Sequence, residues 1–285
     1  MNEPYLYALI STFVPEHFEV LTELGNGLLI KETKDGNTYA NGVLHSFNDE
    51  PAEILKNGTR IWYLNGKIHR GVCRAGDKDL PAVIWSNGTQ KWYQNGKLHR
   101  YRDLPAIIWN DGNREWYQNG KLHRDNDLPA VIWTDGSQEW RQNGNLHRDN
   151  DLPAVIEADG SQEWWWNGNI HRDNDLPASI DSDGNKEWWQ NGNLHRDNDL
   201  PATVWASGSQ EWWWNGDIHR DNDLPAIVRN NGSQEWWQNG QQHRDNDLPA
   251  VIESDGIQKW YQRGELYRIN NLPTVVVMNS LITYG

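Results

Sequence analysis

The sequence predicts an all-β chain, an elongated tandem array of β-hairpins, and three observations carry that prediction. The stretch 123–146, HRDNDLPAVIWTDGSQEWRQNGNL, begins again at His147, His171, His195, His219 and His243, always 24 residues on. It begins earlier at His99 and His69 and, in worn form, at His45, and a fixed period marks a repeat architecture. Within a unit, the short apolar run Ala130–Trp133 and the next run, Gln138–Gln142, are bounded by Asp-Gly and Asn-Gly, the pattern of strands joined by hairpin turns. A unit this short cannot bury a core alone, so neighbouring units must build it between them.

The chain opens outside the array. Tyr5, Leu6, Leu9, Ile10, Phe13 and Val14 have helical spacing, and Phe18, Val20 and Leu21 continue it after Pro15. The pattern predicts a short N-terminal helical cap over residues 1–28, two helices parted by the proline, covering the open edge of the first repeat. A helix for docking a partner is the alternative. The array proper is expected over 29–278, about ten units with the first and last degenerate. In the first, Asp35-Gly36 and Asn41-Gly42 survive and Tyr39 stands in for the tryptophan. The insertion Gly71–Gly76, with Cys73, reads as a surface bulge. In the last unit Tyr267 replaces histidine, and Leu272–Met278 reads as an apolar edge strand, open to pairing with another chain unless the tail, 279–285, covers it.

Turn chemistry sets which residues face inward. If Thr134-Asp135-Gly136 is a three-residue loop with Gly136 left-handed, Trp140 lies opposite Ala130. Treating Gln142-Asn143-Gly144 alike puts Leu146 opposite Trp140. Ala130, Ile132, Trp140 and Leu146 then share one face, which we take as the core. Column comparison agrees: the alanine and tryptophan recur in unit after unit, whereas Trp133 becomes Glu157, Asp181 or Arg229. The alternating positions are expected outside.

Composition narrows the function. The formal net charge of −14 argues against nucleic acid and against an anionic membrane, and suits a basic partner. One cysteine among 285 residues excludes an internal disulfide framework. No apolar run approaches the ~20 residues of a transmembrane helix. The N-terminal stretch lacks the basic region and cleavage site of a secretory signal, so the expected location is inside a cell or in a virion.

The histidine column (His123, His147, His171, His195, His219, His243) invites a metal reading, but successive members stand roughly 9–10 Å apart, too far to share an ion. In this register His147 faces Glu139, and a structural cross-strand bond is the expectation. Arg148-Asp149-Asn150-Asp151 opens like a calcium loop but lacks its later glycine and glutamate. Satisfied loop amides and an Arg–Asp pair within or between repeats are expected instead, with weak calcium binding the alternative. The candidate binding face is aromatic: Tyr117, Trp165, Trp189, Trp213, Trp237 and Tyr261 beside the core tryptophan, and Trp85, Trp109, Trp133 and Trp205 on the other strand. Such stripes mark binding surfaces; inter-repeat stacking and sugar stacking are the alternatives. No nucleophile–base pair, phosphate loop or unique carboxylate pair occurs, so neither catalysis nor a cofactor or metal is expected.

Asn119-Gly120-Lys121-Leu122-His123, preceded by Trp116 and Asp111-Gly112, resembles a MORN repeat, and most closely the divergent MORN-like repeats of giant-virus proteins and of the bacterial YwqK antitoxin-like group. The resemblance covers residues ~29–278 and implies a twisted row of β-hairpins. It implies a scaffold for protein–protein interaction or self-association, a structural component, or an acidic antitoxin that neutralises a basic partner. Arg124 stands where a glycine usually follows the histidine, and Lys121 gives way to Asn145, Asn169, Asn193, Asp217 and Gln241, a loss of basic residues that argues against the family's proposed lipid binding here.

Overall fold

The computed structural model describes residues 18–23, 29–33, 36–71, 79–269 and 272–277. Among them the fold is all-β with no α-helix. The chain divides into two compact units, Met1–Thr134 and Asp135–Gly285.

The first unit opens with a four-stranded antiparallel sheet, Phe18–Glu23, Leu29–Thr33, Thr38–Ala40 and Val43–Leu44, paired in that order. The expected helical cap is corrected where it is described: Phe18–Glu23 is a strand. Its sequence, FEVLTE, carries an aromatic residue and two β-branched ones, Phe18, Val20 and Thr22, residue types that favour a strand. The rest of the cap, 1–17 and 24–28, lies outside the described residues, as do Cys73 and the tail 279–285.

Each 24-residue repeat then supplies four two-residue strands. In the second unit, Val155–Ile156 pairs with Gln162–Glu163 inside its repeat and with Gln138–Glu139 of the preceding one. This alternation builds one antiparallel sheet from Gln138–Glu139 to Val275–Val277. The first unit repeats the scheme from Glu53–Ile54 to Val131–Ile132. A second small hairpin, Trp165–Trp166 with Asn169–Ile170, branches off each repeat.

The two turns differ. At Asp-Gly the expectation holds: Glu157 N–H donates to the Ser161 carbonyl across the three-residue loop Ala158–Gly160, and Gly160 has φ +93°. At Asn-Gly it is corrected. Gln142 pairs with Asn145 and Arg141 with Leu146, so Asn143-Gly144 is a two-residue loop. Asn143 (φ +52°) and Gly144 (φ +97°) are both left-handed, as a type I′ turn demands, and its twist matches the strands it joins. One residue fewer in the loop moves every later partner. Leu146 lies opposite Arg141, and His147 donates its N–H to the Trp140 carbonyl instead of facing Glu139. The same turn at Asn41-Gly42 sets Tyr39 opposite Leu44. Tyr39 therefore falls in the outward aromatic column, and Thr38 takes the core tryptophan's place, its N–H donating to the Ala52 carbonyl.

The core is correspondingly different from the one expected. Ala130 and Trp140 are buried, but Ile132 and Leu146 are only half-buried. Val131, assigned to solvent by alternation, is 5% exposed. Both faces of the sheet are covered: alanine and tryptophan pack on one, and the Val131 column is covered on the other.

Candidate binding face

The recurring polar residues are spent on joining repeats. Arg172 stacks on Trp164, with Cζ 3.8 Å from the ring centre. It grips Asp151 of the preceding loop through Nε (2.7 Å) and Nη2 (3.0 Å) and donates through Nη1 to the Pro177 carbonyl. Trp164 Nε1 donates to the Asp151 carbonyl. The same set recurs at Arg196, Arg220 and Arg244, so the Arg–Asp pair expected from sequence is an inter-repeat clamp. Arginine beside Asp151, Asp175, Asp199 and Asp223 holds each carboxyl below its ordinary range. The loop takes its shape from two successive left-handed residues, Asn150 (φ +61°) and Asp151 (φ +55°), a conformation that short Asn and Asp side chains tolerate.

Each described histidine of the ladder in the second unit ties one Asn-Gly hairpin to the next. His147 Nδ1 accepts from the Asn167 backbone N–H of the next Asn-Gly turn (3.1 Å), and Nε2 lies 3.1 Å from Asp149 Oδ1. His171, His195 and His219 repeat both contacts; His123 contacts Asp125 and His243 contacts Asp245. Hydroxyls close the third joint, with Ser137 Oγ accepting from Ala158 N–H and Ser161 Oγ from Ser182 N–H. Among the described residues no three His, Cys, Asp or Glu side chains converge to hold a metal. The loops of successive repeats flank a shallow groove of about 250 Å³ that includes His171, Arg172, Asp175 and Trp189.

The aromatic columns lie on the Val131 face. Tyr117, Trp165, Trp189, Trp213, Trp237 and Tyr261 are half-buried. Four indoles donate to the glutamate two residues back: Trp165 to Glu163 (2.8 Å), Trp189 to Glu187 (2.9 Å), Trp213 to Glu211 (3.2 Å) and Trp237 to Glu235 (3.1 Å). Tyr117 Oη donates to Glu115 likewise. In the second column Trp85 and Trp205 are exposed, and Trp109 and Trp133 half-buried. Trp109 Nε1 donates to Glu115 (2.6 Å). The structure thus brings the first column together with a glutamate row that sequence reading passed over.

Two further indoles escaped that reading. Trp166 (50% exposed) and Trp214 (52%) precede the Asn-Gly turn in a column that is otherwise mostly glutamine, as at Gln142, Gln190 and Gln238. Each covers the histidine that opens its own repeat, with ring centres 4.4 Å apart for His147–Trp166 and 4.5 Å for His195–Trp214. Their replacement of glutamine in alternate repeats was the available signal. A leucine row, including Leu152, Leu176, Leu200 and Leu224, is also exposed. Compared with known protein families, curated proteins and solved structures, the chain matches none.

Proposed function

We propose that the chain is a non-enzymatic scaffold that binds a protein partner through its aromatic face. One observation carries this reading: the residue types that do chemistry elsewhere (His, Arg, Asp, Ser) are engaged in bonds between successive hairpins and loops, while aromatic side chains recur across the outer face. Half-buried, rigid indoles give large contact area at small entropic loss. The reading retains the likeness to MORN-like repeats and takes no cofactor and no nucleic acid. No described helix is long and apolar enough to cross a membrane. An array without disulfide staples suits the reducing interior of a cell.

The test is affinity capture with the whole chain beside a variant carrying Trp189→Arg and Trp213→Arg. The array itself holds arginine in this column, at Arg141 paired with Glu139, so the fold should survive, and circular dichroism checks that it does. A partner kept by the parent and lost by the folded variant supports the reading. Equal capture by both sinks it. Sugar stacking is the second reading, favoured by the exposed rings of Trp166 and Trp214; competition by a soluble oligosaccharide would select it.

A further inference from the structure

Resting on the protein-binding reading, we propose that the face formed by Trp165, Trp189 and Trp213 with Glu163, Glu187 and Glu211 docks a basic polyproline-II segment of the partner, with lysine or arginine at every third residue.

The face is aromatic and anionic at once. Each indole N–H holds Oε2 of its glutamate, which fixes the carboxylates in a row. No described lysine or arginine pairs with Glu163, Glu187 or Glu211. Elsewhere on equivalent positions the protein supplies its own cations. Arg229, in the column of Trp205, reaches Glu235 at 2.6 Å, and its pKa is raised first by that bond, with Glu211 and Glu253 adding to it. Lys259 stands in the glutamate column and pairs with Glu253 at 3.0 Å. In the first unit Lys91 Nζ lies 5.3 and 4.9 Å from the ring centres of Trp85 and Trp109. These internal pairs show that the face accommodates a cation wherever one is offered. Among the described residues Glu163 and Glu187 are offered none from within, and Arg229 acts on Glu211 only at a distance, its own ion pair being with Glu235.

Spacing selects the ligand's conformation. Two strands separate successive glutamates, about 9.6 Å at ~4.8 Å per strand. A polyproline-II helix rises ~3.1 Å per residue with three residues per turn, so every third side chain points the same way ~9.3 Å further on. A β-strand would send residues three apart to opposite sides. Arginine suits the row best, since its guanidinium stacks on aromatic rings and bonds carboxylates together. The net charge of −14 steers such a segment inward.

Calorimetry with the whole chain tests this, using a synthetic (Arg-Pro-Pro)5 peptide and an (Arg-Pro)5 peptide of equal charge. The first should bind at least about tenfold more tightly, and its affinity should fall steeply with salt. Glu163→Gln, Glu187→Gln and Glu211→Gln together should weaken it at least about tenfold, because glutamine keeps an oxygen for the indole but loses the charge. The equally neutralising set Asp183→Asn, Asp217→Asn and Glu265→Gln, off the row, should leave it within about twofold. Equal affinity for the two peptides, or an unaffected triple-glutamine variant, overturns the proposal, as does preference for a neutral oligosaccharide or for a second copy of the chain. If affinity capture is lost in the Trp→Arg variant but retained by the triple-glutamine variant, the binding face stands and the basic segment falls.

Discussion

The backbone N–H of Asn167 donates to Nδ1 of His147, twenty residues earlier, at 3.1 Å. An acceptor at Nδ1 places the ring hydrogen on Nε2, which faces Asp149. A backbone amide near the end of a repeat thereby fixes the tautomer of the histidine that opens it.

Acid should loosen the first unit in two stages. His69 and His99 accept in the same way, from Asn95 and Asn119, and burial holds both below the ordinary 6.5. A lowered pKa means that their contribution is complete above 6.5 and is lost as pH falls through the folded value. The melting temperature should therefore drop between pH 7 and 5, less so in a His69→Gln, His99→Gln variant. Asp103, held below 3.8 by Arg124, contributes above 3.8 and loses that contribution only as pH falls further. A melting temperature that stays level from pH 7 to 5 would contradict the first stage.

Replacing Arg172 by lysine should destabilise the second unit by about 1–2 kcal/mol in urea unfolding. Lysine cannot form the two parallel bonds to Asp151 or the flat stack on Trp164. Part of that loss should disappear in an Asp151→Asn background, the mark of a coupled pair. Strict additivity would separate the arginine from the aspartate.

Alanine at Gly168 should lower stability by about 1–2 kcal/mol. Its φ of +88° strains an L-residue, although the nearest atom to an added Cβ, on Asn145, is at an ordinary 3.5 Å. Alanine at Gly71, which lacks positive φ and has open space around it, should be neutral. Equal melting curves for the two variants would refute the type I′ assignment.

Adjacent tryptophans should separate cleanly. Trp164 is buried, and truncating it to alanine should cost about 3–5 kcal/mol. Trp166→Gln should change stability by less than about 1 kcal/mol, since glutamine fills that column at Gln142 and reaches Asp149. Its signature would be a His147 ring newly accessible to solvent in NMR exchange. A large destabilisation would make the Trp166 ring part of the packing.

The period and the Asp-Gly turn were legible because both are written in consecutive residues. The Asn-Gly turn was not: apolar grouping favoured a loop one residue longer, and the left-handed preference of Asn143 decided otherwise. That single residue moved His147 to Trp140 and Leu146 to Arg141. Val131 was placed outside because alternation assumes one wet face, whereas Val131 is buried and that side is covered too. The glutamate row was visible in the sequence, but its bond to the indole two residues on depends on side-chain placement that spacing alone does not supply.

The clamp from Arg172 to Asp151 spans 21 residues and the one from Arg196 to Asp175 spans the same 21. Every joint is therefore addressed by position in the unit and not by identity of the unit. Excision or duplication of a block of 24 residues, cut in phase anywhere between Asp151 and Arg244, leaves each guanidinium, imidazole and hydroxyl opposite the kind of group it had before. A gene encoding such a chain can lengthen or shorten by unequal exchange without an unmatched junction, and the number of docking positions becomes a heritable variable independent of the fold.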